Sequence, residues 1–280
     1  AAEVLLLRRR GLKVFFVGYD LLPKVHPEFF RKAARIVYER WLATALRSDG
    51  ILCISQSSER EFLRLINRNR RSQDLEPRTT HVHLASEVTP AIAGRALLRK
   101  SLLHRDCFSF LMVGTLEPRK GHQAVLDAFE NLWGQGLEHT LTIVGGPGWL
   151  TEPLQSRIRR HEQLGHRLFW FDNASDDVTW EQYLSADALI ANSEAEGFGL
   201  PLIEAASVGL PIIARRIPPF VEVAGNHAFY FESGEAQSIA TSVKEWCSLA
   251  NQGRVPDPKK IPDRTWLEVA KDTVSFLFEK

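Results

Sequence analysis

Residues 188–205 read A-L-I-A-N-S-E-A-E-G-F-G-L-P-L-I-E-A. The apolar run from Ala188 to Ala191 has the form of a buried parallel strand. A polar, glycine-containing turn follows. Pro201 suits the first turn of a helix, where a missing N–H costs nothing and φ is preset. Strand, turn and helix in that order make the repeating unit of a parallel α/β sheet. The backbone N–H groups around Phe198, Gly199 and Leu200 then point outward at the positive end of a helix dipole, a setting that suits phosphate. Gly197 and Gly199 remove side chains where a ligand approaches the backbone closely. Glu196 precedes the turn and Glu204 lies inside the helix, so two carboxylates flank the anion site and can reach hydroxyls on either side of a diphosphate. For this stretch alone, a capped helix with two solvated acids is the plainer alternative.

The same alternation runs outward along the chain. Strands are predicted at 12–18, 50–54 and 80–84. A helix is predicted over 28–47, and the capping box Ser58-x-x-Glu61 opens another. Residues 86–106 read as an irregular linker. A second series then places strands at 107–113, 141–144, 167–171, 188–191 and 211–214. Helices at 121–133, 152–163, 179–185, 235–250 and 263–279 accompany them, together with the one that Pro201 opens. Repeated alternation predicts parallel sheets covered on both faces, with ligands beyond the carboxyl ends of the strands. Gly18-Tyr19-Asp20, Gly114-Thr115-Leu116, Gly145-Gly146 and Asn192-Ser193-Glu194 fall at such ends.

Composition narrows the classes. With 280 residues, 44% of them hydrophobic, the chain can bury a substantial core in one large domain or two. A formal net charge of +1 argues against a general nucleic-acid partner. Cys53, Cys107 and Cys247 stand far apart in no metal-ligand spacing, which fits a reducing, cytoplasmic setting. No apolar run is long enough to span a bilayer. The first ten residues place charge after the apolar run, opposite to a signal peptide, as if the chain began partway into a domain, close to a strand.

Beside the opening stretch, Gly114-Thr115-Leu116-Glu117-Pro118-Arg119-Lys120-Gly121 sets two cations at a strand-to-helix junction. Arginine can fork phosphate oxygens and lysine neutralises them as a point charge. Gly145-Gly146-Pro147-Gly148-Trp149 lacks the dinucleotide spacing, and Pro147 and Trp149 stand where a phosphate turn needs bare backbone, so it reads as a loop shaping the cleft. That absence disfavours a nicotinamide-dependent oxidoreductase. His26 reads as a polar loop residue rather than an acid or base. The basic cluster over 64–71 has two readings, contact with an anionic membrane surface or a solvated helix end, the second being simpler. The serines near Gln56 lack a nucleophile elbow.

Glu196 to Glu204 matches the E-x7-E pattern of the retaining glycosyltransferases of family 4, which have the GT-B fold. The 114–121 stretch resembles their diphosphate loop and E-G-F-G-L-P-L-I-E-A at 196–205 their donor-site signature. G-L-P-I-I-A at 209–214 and E-V-A-G at 222–225 follow in the same order. Y-D-L-L-P-K-V-H-P-E-F-F at 19–30 is similar to bacterial members that build O-antigen-type polysaccharides, mannosyltransferases in particular. The resemblance implies two Rossmann-like domains with parallel sheets, the amino-terminal one incomplete. These would be an acceptor-side domain at 1–103, a donor-binding domain at 104–262 and a terminal helix at 263–280 packing back toward the first. It implies that Arg119 and Lys120 hold the donor diphosphate and that Gly199 and Leu200 bind phosphate through their backbone. Gly197 and Phe198 would bind the sugar, with Glu196 acting on it catalytically, and Glu204 would bind the ribose, with the base near Asn173. It implies no metal and no cofactor, a nucleotide-diphospho-sugar donor (GDP-mannose favoured), a saccharide or lipid-linked saccharide acceptor, and peripheral work at the cytoplasmic membrane face. Two departures stand out. Relatives are usually longer, and Tyr19-Asp20 replaces their His-Asp, so no general base is assigned. A nucleotide-sugar binding module without transferase activity is the alternative.

Overall fold

The computed structural model describes residues 2–68, 76–86, 88–97 and 101–278. Along the chain run α1 (Ala2–Arg9), β1 (Phe15–Gly18), α2 (Leu22–Val25), α3 (Lys32–Ala45), β2 (Gly50–Cys53), α4 (Gln56–Arg68) and β3 (Arg78–His81). Then come α5 (Pro90–Ala96), β4 (Ser109–Val113), α6 (His122–Gly134), β5 (Thr140–Val144), α7 (Glu152–Arg159), β6 (Leu168–Phe171), α8 (Asp176–Ser185) and β7 (Ala188–Ala191). The last are α9 (Leu200–Ser207), β8 (Ile212–Arg215), α10 (Pro218–Ala224), β9 (Phe229–Phe231), α11 (Ala236–Asn251) and α12 (Trp266–Phe278).

The chain divides into two units. One holds the described residues of Ala1–Ala85, Ala195–Gly199 and Arg264–Lys280, the other those of Ser86–Glu194 and Leu200–Asp263. In the first, β1, β2 and β3 form a parallel sheet in that order, Phe15 pairing with Gly50 and Gly50 with Arg78. Strand β2 is buried on both faces. Ile51 and Cys53 face Leu21, Leu42 and Phe62, while Leu52 faces Val269 and Phe276 of α12. A Cβ on Gly50 would come within 2.9 Å of both the Phe15 and Phe276 rings, so a glycine is what lets α12 pack this closely. Arg78 clamps the helix, its guanidinium 4.9 Å from the Phe276 ring centre and donating to the Phe276 carbonyl at 2.7 Å.

In the second unit six parallel strands run β6-β5-β4-β7-β8-β9. Phe110, Phe129, Trp246, Leu126 and Leu132 lie at the centre of its core, all below 1% exposed, and the aromatic rings meet edge to face. The helix opened by Pro201 is α9, which buries Leu202, Ile203, Ala205 and Ala206.

Several expectations need correction. The helix α1 ahead of β1 was not anticipated: it is built of good helix formers, with Glu3 in its first turn and Arg8 and Arg9 in its last, as the helix dipole favours. Ser55, not Ser58, caps α4, accepting from the Ser58 amide at 3.0 Å. The supposed linker contains α5, with Pro90 in its first turn and the Thr89 hydroxyl accepting from Ile92 N. Helix α10 and strand β9 were not anticipated. The expected boundary at 103/104 falls instead at 85/86. Arg95 of α5 forks both carboxylate oxygens of Glu181 on α8, and Arg105 pairs with Asp187 while donating its backbone N–H to Asn251. Ala195–Gly199, expected in the donor domain, group with the first unit. Of the 64–71 cluster, Arg64 and Arg68 lie exposed on α4, and residues 69–71 fall outside the described residues.

Candidate active site

Counted within the second unit, the strand order is 3-2-1-4-5-6, the doubly wound arrangement. Its β4–β7 junction is a topological switch point, where the connections leave in opposite directions and open a crevice beyond the strand ends. The two loops at that junction are the 114–121 stretch and Asn192-Ser193-Glu194, and they are tied together. Glu194 N donates to Arg119 O at 2.8 Å, and Asn192 Nδ2 donates to Gly121 O at 3.2 Å and to Gly234 O at 3.3 Å. Gly121 takes φ +71°, and a Cβ there would stand 2.4 Å from Asn192 Nδ2. Only glycine lets the two loops meet.

The second glycine-rich stretch supports the first. A Cβ on Gly145 would lie 2.0 Å from Gly114 O, and one on Gly148 would lie 2.0 Å from Leu116 O. Leu116 N donates to Gly146 O at 3.0 Å, and the Thr151 hydroxyl donates to Leu116 O at 3.1 Å. These glycines allow backbone to lie on backbone beneath the cation loop, which is why Pro147 and Trp149 are tolerated beside them.

On that loop Arg119 Nε lies 2.8 Å from Glu117 Oε2, and Glu117 is 8% exposed. The pair orients the guanidinium, a group whose planar geometry matches phosphate oxygens. The Lys120 side chain runs back over the bare Gly114, its Nζ 3.7 Å from where a Cβ would be. His122, the first residue of α6, is buried, and both its ring nitrogens are without a hydrogen-bond partner. Burial, with the Lys120 charge adding to it, pushes its pKa down to about 3, so it is neutral.

Glu204 lies half-buried on α9. The Tyr183 hydroxyl donates to its Oε2 at 2.6 Å, and Tyr183 itself is fully buried. Burial raises the carboxyl pKa. The Tyr183 hydrogen bond opposes that, Asp176 adds to it and Lys120 opposes it. A carboxylate, a lysine and the Arg119–Glu117 ion pair are thus brought to one strand-end region of one sheet. Leu200 opens α9 and Gly199 before it takes φ +119°; the first amides of any helix lack an intrahelical acceptor. Asn173 is exposed in the turn after the edge strand β6, two strands away from β4.

The first unit holds the remaining candidates. Gly197 O accepts from Ser55 Oγ at 2.6 Å and from Ser58 Oγ at 3.1 Å. A Cβ on Gly197 would be 2.7 Å from Tyr19 O. Phe198, 3% exposed, packs on His83 with ring centres 5.5 Å apart. Glu196, half-buried, therefore sits on a loop clamped immediately after it. Tyr19 contributes its carbonyl, accepting from Ser58 Oγ at 3.0 Å, while its ring is exposed. His26 is engaged locally, with Nδ1 3.3 Å from Glu28 Oε1.

The family model described as glycosyl transferases group 1 matches residues 95–257. The chain belongs to that family. The serotype-specific mannosyltransferase WbdA of Escherichia coli is 40% identical over 273 residues, covering 95% of this chain and 33% of that protein. O-antigen chain mannosyltransferase B of Escherichia coli is 25% identical across 87% of this chain and 60% of its own length. The chain thus spans about a third of the length of the WbdA relatives it matches. Among solved structures, a crystal structure of Anabaena HepE in complex with UDP and glucose superposes with a TM-score of 0.68 at 18% identity, covering 99% of this chain and 74% of that one. Sucrose-phosphate synthase from Thermosynechococcus elongatus gives 0.70 at 18% identity, covering 97% and 69%. At that identity the likeness is one of fold, the GT-B class of paired parallel α/β sheets.

The group 1 match begins in α5 and ends after α11, so it takes in both switch-point loops, α9 and the Glu196 loop. Three residues described above have a role that the sequence did not show. Asn192 was legible only as a strand end, Ser55 only as lacking a hydrolase elbow, and Tyr183 not at all, because its partner is 21 residues away across two elements.

Proposed function

We propose that this chain carries the donor site of a retaining hexosyltransferase. It would take mannose, from a nucleotide-diphospho sugar such as GDP-mannose, to a saccharide or lipid-linked saccharide acceptor. The observation that carries the reading is the convergence of Arg119, Lys120 and Glu204 at the β4–β7 switch point, in a family of glycosyl transferases. The mannosyltransferase names of the relatives favour mannose.

In this reading Arg119 and Lys120 neutralise the diphosphate without a metal, and the first amides of α9 at Gly199 and Leu200 supply further donors. Their largest contribution comes as the sugar–phosphate bond breaks and charge gathers on the leaving oxygen, because preorganised donors need not reorient then. The carboxylate of Glu196 faces the positive charge that develops on the sugar ring. Gly197 and Phe198 contact the sugar, Glu204 accepts from the ribose hydroxyls, and Asn173 lies toward the base. The departing phosphate itself helps deprotonate the acceptor. Attack from the same face then retains the anomeric configuration. Arg60, Arg64 and Arg68, exposed at four-residue spacing on α4, make a basic stripe suited to the anionic face of the cytoplasmic membrane. Among the described residues no helix is long and apolar enough to cross a bilayer.

The test pairs calorimetric titration of GDP and UDP sugars with a transfer assay on the native chain and Glu196→Ala. Binding with transfer that the substitution abolishes, in a variant that stays folded, supports the proposal. Undiminished transfer by Glu196→Ala sinks it, and binding without transfer by the native chain assigns a nucleotide-sugar binding module instead.

A further inference from the structure

A carboxylate partly withdrawn from water loses solvation, and it stays charged only if neighbours replace that solvation. Glu204 is in this position on α9. The charged and titratable groups that face it are Tyr183 and Asp176 of α8 and Lys120 of the β4 loop. Asp176 disfavours the charge. Lys120 favours it, and an ammonium is equally suited to an incoming phosphate. Tyr183 is different. Its ring is fully buried, packed against Trp180 at 5.4 Å, so its hydroxyl has a fixed direction, and it donates to Oε2 at 2.6 Å. The bond engages one carboxylate oxygen alone. The other keeps its accepting capacity, and the bond restrains the rotation of the carboxylate.

We propose that Tyr183 is a positioning residue for the donor nucleotide: its buried hydroxyl fixes Glu204 so that the other oxygen is aimed at a ribose hydroxyl of a nucleoside diphosphate. This rests on the nucleotide-sugar reading above. Loss of the hydroxyl has two consequences. The carboxylate gains rotational freedom that ligand binding must remove. It also loses the hydrogen bond that most opposes its raised pKa, so its charge, and with it the ribose contact, fails at a higher pH than in the native protein.

The experiment titrates GDP and 2′,3′-dideoxy-GDP into the native chain, Tyr183→Phe and Glu204→Gln from pH 5 to 8. The native chain is expected to prefer GDP by about tenfold or more, the usual worth of a hydrogen bond to a charged group. Glu204→Gln loses most of that preference and its pH dependence. Tyr183→Phe, which keeps the ring, binds GDP about three- to tenfold more weakly, prefers it less, and shows its fall in affinity displaced to higher pH. If Tyr183→Phe proves unstable, 3-fluorotyrosine placed at 183, a stronger donor of nearly the same shape, is expected to displace the fall to lower pH. An unmoved pH midpoint and an unchanged preference in the position-183 protein, alongside their loss in Glu204→Gln, overturn the role of Tyr183 alone. Unchanged GDP preference in Glu204→Gln overturns the ribose role of Glu204 and the inference with it.

Discussion

Replacing His122 with leucine should change how stability depends on pH, and the size follows from the burial of that ring. In the folded chain the imidazole pKa is pushed to about 3, against 6.5 in the open chain. A base whose folded pKa is depressed stabilises the fold fully above the open-chain value. That contribution declines as pH falls, because the unfolded chain takes up the proton first. It is gone at the folded value, near pH 3. Each pH unit crossed costs about 1.4 kcal/mol, so the native protein loses about 1.4 kcal/mol by pH 5.5 and about 2.7 kcal/mol by pH 4.5 through this group alone. Carboxylates titrate in both proteins and cancel in the comparison. Leucine cannot titrate, and it leaves no unpaired ring nitrogens in the core, so the variant should be near native stability at pH 7.5. Urea unfolding at pH 7.5, 5.5 and 4.5, followed by the fluorescence of Trp133 and Trp246 in the same unit, measures the gap. It should widen by roughly the stated amounts in favour of the variant. Parallel pH profiles for the two proteins would refute the claim that this histidine is held neutral.

Other substitutions test the supporting geometry. Gly145→Ala would place a methyl 2.0 Å from Gly114 O; it should cost about 3 kcal/mol or more in urea unfolding, and an unchanged midpoint would contradict the backbone stacking beneath the cation loop. Ser55→Ala removes the α4 cap and the 2.6 Å bond to Gly197 O. It should cost about 2 kcal/mol and depress transfer beyond what lost stability explains, whereas full turnover in the folded variant would disconnect the clamp from Glu196. Reversing Arg64 and Arg68 to glutamate should lower sedimentation with vesicles rich in anionic lipid, most clearly at low salt; equal sedimentation leaves α4 a solvated face.

Local signals carried much of this fold into the sequence. The β7–turn–α9 stretch was readable because an apolar run, two glycines and Pro201 each act within a few residues. Strand order was not readable. The switch point exists because β4 pairs with both β5 and β7, and β7 lies some eighty residues beyond β4 by way of three other helices and two strands. Nothing in either strand alone names its neighbour. Arg119, Lys120 and Glu204 stand out as candidates by motif and charge, but Tyr183 and Ser55 act through contacts that only folding creates. Ala195–Gly199 shows the same limit most plainly. Its sequence follows β7, yet its carbonyl and ring partners, Ser55, Ser58 and His83, come from more than a hundred residues earlier. Helix α5 was different: Thr89-Pro90 carried a cap and a first-turn proline, and a polar surround obscured them.

The central claim, that the β4–β7 switch point binds the diphosphate of a nucleotide sugar, is tested most directly by calorimetric titration of GDP into the native chain and into the Arg119→Ala/Lys120→Ala double variant. Two charge-assisted contacts are lost, so affinity should fall by about two orders of magnitude, and the native salt dependence should flatten. GDP binding of equal strength in both proteins would contradict it.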